Sequence, residues 1–183
     1  MIIDDYNIYK LGNIIRYSQQ SKIKNESVAE HSYYVCWFVN RICTKYELCD
    51  NIRLMAIEAA ILHDIPEVIT NDITYDVKRM IPEVRALLQP YEEEAIMEHS
   101  LQSHKVLFNP DTLEELVAKT VVKHADILSV LQYCQNEEKL GNKSFSELRK
   151  ATEQRVSNSK ASLESLITKL KQKQKEEQHA KEQ

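Results

Sequence analysis

The chain has 183 residues and a formal charge of −4 at neutral pH, with 43% hydrophobic and 28% charged residues, which suits one domain with its own core. That charge gives no global drive towards nucleic acid or an anionic membrane, so an anionic ligand must be met by a local group of cations. Only two glycines occur, too few for the hairpins and bulges of a sheet protein, while helix formers are plentiful, so the expected fold class is all-α.

No uncharged run approaches the ~18 residues needed to span a bilayer. The stretch MIIDDYNIYK carries acids where a signal peptide needs a basic segment, so the expected location is the cytoplasm, with neither a membrane nor polymeric nucleic acid as partner. Cys36, Cys43, Cys49 and Cys134 show no C-x-x-C spacing and read as reduced thiols used as small apolar residues.

In chain order, Ile8, Leu11, Ile14 and Ile15 follow helical spacing and predict a first helix ending near residues 17–18. The polar loop QQSKIKNE follows. Ser27 and Glu30 stand in the S-x-x-E pattern of a capping box, and Tyr34, Val35, Phe38 and Ile42 carry a helix over 28–47, with His31 in its first turn. A third helix begins near Asn51 and runs to His63 and Asp64; Pro66 opens a short new turn, PEVIT, that Asn71 and Asp72 end. Segments 74–81, 82–105, 111–140 and 144–170 read as further helices, divided by Pro82, by Asn109-Pro110 and by Gly141-Asn142. Residues 1–170 are expected to form one domain. The polar stretch 171–183 has no face to bury and reads as a frayed helical extension or disordered tail.

His31, His63, Asp64 and Asp126 come from three predicted helices, in the otherwise apolar contexts VAEHSYYV, AAILHDIP and VVKHADIL. Each histidine alone reads as a hydrogen-bonded core residue and each aspartate as a cap. Together they form an imidazole and carboxylate set suited to zinc, manganese, cobalt or iron, with positions open to water and substrate. His99, His104, His124 and His179 are set aside as non-ligands.

The order His31, then His63-Asp64, then the distant Asp126 in a K-x-A-D context resembles the signature of the HD-domain metal-dependent phosphohydrolases. SVAEHSYYV, LHDIPEVITNDITYDVK and VKHADILSVLQYCQNEEKLGNKSF are similar to the corresponding stretches of the YfbR-type 5′-deoxynucleotidases, in order over residues 10 to 150. Phage deoxynucleoside triphosphohydrolases, dATPases among them, share that small helical HD fold. The resemblance implies His31, His63, Asp64 and Asp126 as metal ligands, Glu67 and Asp72 as non-ligand acids of the active site, and Arg16 with Tyr17 as a substrate-binding pair. It also implies a homodimer or larger ring. The chain departs from the family at Tyr17, where tryptophan is usual, at Asn71, where glycine is frequent, and at Thr74, Tyr75 and Asp76, where a proline-rich turn is usual.

The chemistry of the residues agrees. A bound metal acidifies water and neutralises phosphoryl oxygens, while Glu67 and Asp72 follow Asp64 closely enough to line the mouth of the site and orient water or protonate the leaving oxygen. Arg16, Lys78 and Lys123 are candidates to clamp phosphate, Lys123 lying one helical turn before Asp126. The expected activity is release of phosphate from deoxynucleoside 5′-monophosphates with one divalent ion, cobalt, manganese or zinc. The alternatives are a triphosphohydrolase acting on dNTPs, with further ions on the triphosphate, and a non-catalytic nucleotide sensor.

Overall fold

The computed structural model describes residue 3 and residues 5–181, without the side chains of residues 5, 6, 75, 76, 79 and 181. The chain opens with α1 (Asp5–Ile8) and a 3-10 turn, Tyr9–Gly12, a shorter start than the helix predicted to reach residues 17–18. The chain leaves the turn just after Gly12, a poor helix former, and passes into an extended pairing. Arg16 N donates to Glu26 O at 2.9 Å, Val28 N donates to Ile14 O at 3.0 Å, and Ile15 bridges Ser27. This isolated bridge folds the polar loop back on itself and delivers Arg16 to the start of the next helix.

That helix, α2 (Val28–Tyr46), begins at the predicted capping box: Ser27 Oγ accepts from Glu30 N at 3.2 Å, and Glu30 Oε2 accepts from Ser27 N at 2.7 Å. Two otherwise orphaned N–H groups are thereby satisfied, which sets the rotational phase of α2 and turns His31 inward. Next come α3 (Asp50–Leu62), α4 (Glu67–Thr70) and α5 (Tyr75–Met80). The predicted single helix over 82–105 is two, α6 (Pro82–His99) and α7 (Leu101–Leu107), because Ser100 turns extended and its Oγ caps Ser103 N at 3.0 Å. The long α8 (Leu113–Lys139) and α9 (Ser146–Lys181) complete the chain, with a 3-10 turn, Lys143–Phe145, between them.

Helix α8 lies at the centre, packed against α2, α3, α7 and α9. Val35 and Val39 of α2, Ile52 and Ala56 of α3, and Val121 and Ala125 of α8 meet in the main core, which Leu163 of α9 closes. Burying a side chain such as Ile52 contributes about 1.5–3 kcal/mol, and the alanines on α3 and α8 let the two backbones approach closely enough to bring their polar ends together. A smaller cluster of Leu11, Val28, Ile65 and Ala95 holds the N-terminal turn against the α3–α4 junction. Helix α9 buries Leu163, Ile167 and Leu170, and from residue 171 to residue 180 it is exposed. The predicted tail is therefore helical as far as Lys181, and its residues 182–183 lie outside the described residues. Among the described residues, no helix is long and apolar enough to cross a membrane.

Candidate metal centre

Three helices converge on one point. The first turn of α2 supplies His31, 1% exposed; the end of α3 supplies His63 and Asp64; the middle of α8 supplies Asp126. His31, His63 and Asp64 offer ligand atoms that all lie within 4.8 Å of one another. His31 Nε2 is 3.6 Å from Asp64 Oδ2 and 3.2 Å from Asp126 Oδ1, and His63 Nε2 is 3.2 Å from Asp64 Oδ2. Asp126 joins through His31 and stands outside the mutual 4.8 Å grouping.

His63 Nδ1 lies 2.7 Å from the Ala60 carbonyl, which can only accept, so the ring donates there and its Nε2 carries the lone pair when neutral. That Nε2 is buried without a hydrogen-bond partner. Two imidazoles and two carboxylates around a buried, unsatisfied nitrogen are a donor set that fits a divalent ion of borderline softness. The electrostatics point the same way. Burial opposes charge on His63, yet Asp64, then Asp126 and the Ala60 carbonyl, push it up to about 9. Against its own burial, Asp64 is held well below the usual carboxylate range by His63, His31 and Arg16. Asp126 is likewise lowered against burial, by His31 and then His63. Burial and the Arg16 charge lower His31. The cluster attracts positive charge.

The predicted acids lie beside it. Burial, then the charges of Asp64 and Asp72, push Glu67 up to about 9, and its Oε2 is buried without a partner. Asp72 Oδ2 accepts from Tyr17 N at 3.3 Å, tying the segment after α4 to the Arg16–Tyr17 turn. Arg16 Nη1 reaches Glu26 Oε2 at 2.9 Å and His31 Nδ1 at 2.5 Å. Tyr17 has a left-handed φ of 55°. Its ring stacks on Tyr133, centroids 4.6 Å apart, and meets Phe145 edge-on, while its hydroxyl is buried unpartnered. Lys78 lines a cleft of about 200 Å³ with His63, Asp64, Glu67, Glu92 and Phe108, and its Nζ is paired with Glu92 at 3.0 Å. Lys123 is exposed, and its charge acts on Lys119. His124 bonds Ser159 on α9 through Nδ1 at 2.7 Å.

Glu26, Ser129 and Tyr133 also touch this machinery, though spacing alone did not single them out. Ser129 Oγ is 3.1 Å from His31 Nδ1; its one sequence signal is its place three residues after Asp126, on the same helical face. These three also line a larger cavity, about 330 Å³, between α2 and α8, together with Tyr34 and Trp37.

The sequence model of the family described as 5′-deoxynucleotidase YfbR-like matches residues 6–172. No curated protein matches the chain. Among solved structures, an HD-domain phosphohydrolase of Listeria innocua aligns with a TM-score of 0.62 at 24% identity, covering 93% of this chain and 87% of that one. The cyanophage S-2L HD phosphohydrolase DatZ, bound to dA and one catalytic Zn2+ ion, aligns with a TM-score of 0.64 at 17% identity, covering 91% and 97%. A protein of Pyrococcus horikoshii OT3 aligns with a TM-score of 0.64 at 20% identity, covering 89% and 96%.

Proposed function

This chain belongs to the YfbR-like 5′-deoxynucleotidase family, a family of metal-dependent deoxynucleotide phosphohydrolases, and we propose that it removes orthophosphate from 2′-deoxynucleoside 5′-monophosphates. His31, His63, Asp64 and Asp126 would hold the divalent ion, with zinc the first choice and cobalt or manganese the alternatives. When bound, that ion supplies Lewis acidity at the phosphoryl oxygens and acidifies water. Arg16 binds the phosphate through its planar fork. Glu67 keeps a proton on its buried carboxyl for the departing 5′ oxygen, and Asp72 orients water. Tyr17, stacked on Tyr133, would pack against the sugar and disfavour a 2′-hydroxyl.

The observation that carries the monophosphate reading is the composition of the cleft beside the cluster. Among its described lining residues, the lysine, Lys78, is already paired with Glu92. That lining offers the β- and γ-phosphates of a triphosphate no lysine that an acid has not already claimed. DatZ, with dA and Zn2+ bound, supports a deoxynucleoside ligand and zinc.

The test is a panel of dNMPs, NMPs and dNTPs assayed with zinc, cobalt, manganese and magnesium. Orthophosphate from dNMPs is the expected product; tripolyphosphate from dNTPs with no dNMP turnover would replace the reading with a triphosphohydrolase. Light scattering of the purified protein tests the accompanying proposal of a homodimer or larger assembly.

A further inference from the structure

We propose that Ser129 is a positioning residue that sets the tautomer of His31, and that it and Arg16 compete for the same ring nitrogen. The inference rests on the reading of His31 as a metal ligand. His31 Nδ1 has Arg16 Nη1 at 2.5 Å and Ser129 Oγ at 3.1 Å. A guanidinium only donates, whereas a hydroxyl donates or accepts. While Arg16 donates to Nδ1, that nitrogen uses its lone pair and the ring proton of the neutral imidazole sits on Nε2, facing Asp126 Oδ1 at 3.2 Å. In that state Nε2 cannot bind a cation.

For Nε2 to present a lone pair to the cluster, the proton must leave it and Nδ1 must take one up. The ring stays neutral through this exchange. Nδ1–H then needs an acceptor, and of its two neighbours only Ser129 can be one. Ser129 is 2% exposed, and its hydroxyl is held by α8 within reach of the ring nitrogen. Helix α8 therefore carries both Asp126 and, one turn on, the group that makes His31 a ligand. The second consequence concerns Arg16. An Nδ1–H and a guanidinium N–H repel at this distance, so seating of a metal on Nε2 displaces Arg16 from His31, leaving it to Glu26 Oε2, 2.9 Å away, and to an incoming phosphate. Ion binding thus readies the phosphate clamp.

The experiment titrates metal-free full-length protein with Zn2+ by calorimetry, and reads the His31 ring nitrogens by 15N NMR before and after zinc. In wild type the ring proton is expected on Nε2 without zinc and on Nδ1 with it. Ser129→Ala should weaken zinc binding about 10- to 100-fold, the usual cost of losing the partner of a metal-bound histidine; Ser129→Thr, which keeps the hydroxyl, should restore it. Wild-type zinc affinity in Ser129→Ala, or zinc-loaded wild type with no proton on Nδ1, would overturn the inference; the second measurement needs no variant and stands even if Ser129→Ala does not fold. Zinc binding by wild type that bypasses His31 altogether would overturn the metal-centre reading as well, whereas normal binding through His31 with no effect of Ser129→Ala overturns this inference alone.

Discussion

His63 Nε2 is buried with Asp64 as its polar neighbour, so it needs either a proton directed at that carboxylate or a cation in the proton's place, since an unsatisfied buried polar group loses about 1–3 kcal/mol. Asp64 is its neighbour at 3.2 Å and also faces His31. Asp64→Ala is therefore expected to abolish both metal content and activity, read by elemental analysis of the purified variant; full occupancy with normal turnover would rule out the centre as described. Glu67 differs because it stands outside the mutual 4.8 Å grouping and is driven towards its neutral form by burial and by Asp64 and Asp72. Glu67→Ala should retain metal and lose about 10²- to 10⁴-fold in turnover, the range for losing a general acid or base; loss of the metal instead would make Glu67 a ligand. Asn71 adopts φ 57° and ψ 176°, a region that is almost exclusively glycine's. Asn71→Gly should raise the melting temperature, and a fall would mean that the Asn71 side chain contributes more than its backbone strain costs.

Among the elements, α8 organises the most, since it presents Asp126 and Ser129 on the side facing α2 and pins the 18–25 loop by its far end. Glu137, 1% exposed, accepts from Ile23 N and Lys24 N, both at 2.8 Å, and from Asn142 Nδ2 at 2.6 Å. Burial works against its charge, but the bonds from Ile23, Asn142 and Lys24 hold its pKa below the ordinary value. A depressed folded-state pKa favours the ionised form in the fold. The stabilisation is therefore complete above the ordinary carboxylate value of about 4.3 and is lost as pH falls through the lower folded value. Glu137→Gln is expected to cost about 1–3 kcal/mol at pH 7, with the gap to wild type narrowing as denaturant melts are repeated at falling pH. A constant gap across that range would show that shape, not charge, holds the loop. The cap of α2 and the anchor near the end of α8 were legible in the sequence to differing degrees: Ser27 with Glu30 stands out as a pattern, whereas Glu137 is one acid among many until Ile23 and Lys24 are seen to converge on it.

For the whole molecule, the last buried residue on α9 is Leu170, and beyond it the described contacts are surface ion pairs such as Lys173–Glu114 at 3.4 Å, each contributing about 0–1 kcal/mol. Deletion of residues 172–183 should leave turnover and the melting temperature close to those of the full chain, in keeping with a domain proposed to end near residue 170. A fall of many degrees would show that the exposed end of α9 is covered by another copy. Most of the helices from α2 onward were determined by the sequence alone, because apolar periodicity, a capping box and prolines act within a few residues of one another, whereas the helix expected to reach residues 17–18 gave way to a 3-10 turn and an extended pairing. The proposed ligand set was put forward from the sequence too, on two histidines and two aspartates in apolar surroundings, and the structure brings His31, His63 and Asp64 together with Asp126 beside His31. The break at Ser100 escaped that reading, since nothing in the periodicity of 82–105 marks it. Only the tertiary structure decided that Arg16 lies against both Glu26 and His31, that Tyr17 is stacked on Tyr133, that Lys78 is neutralised by Glu92, and that Lys123 is exposed beside Lys119. Periodicity tells which face of a helix is buried but not what that face meets, and a cation's role depends on whether an acid from a distant segment has already claimed it.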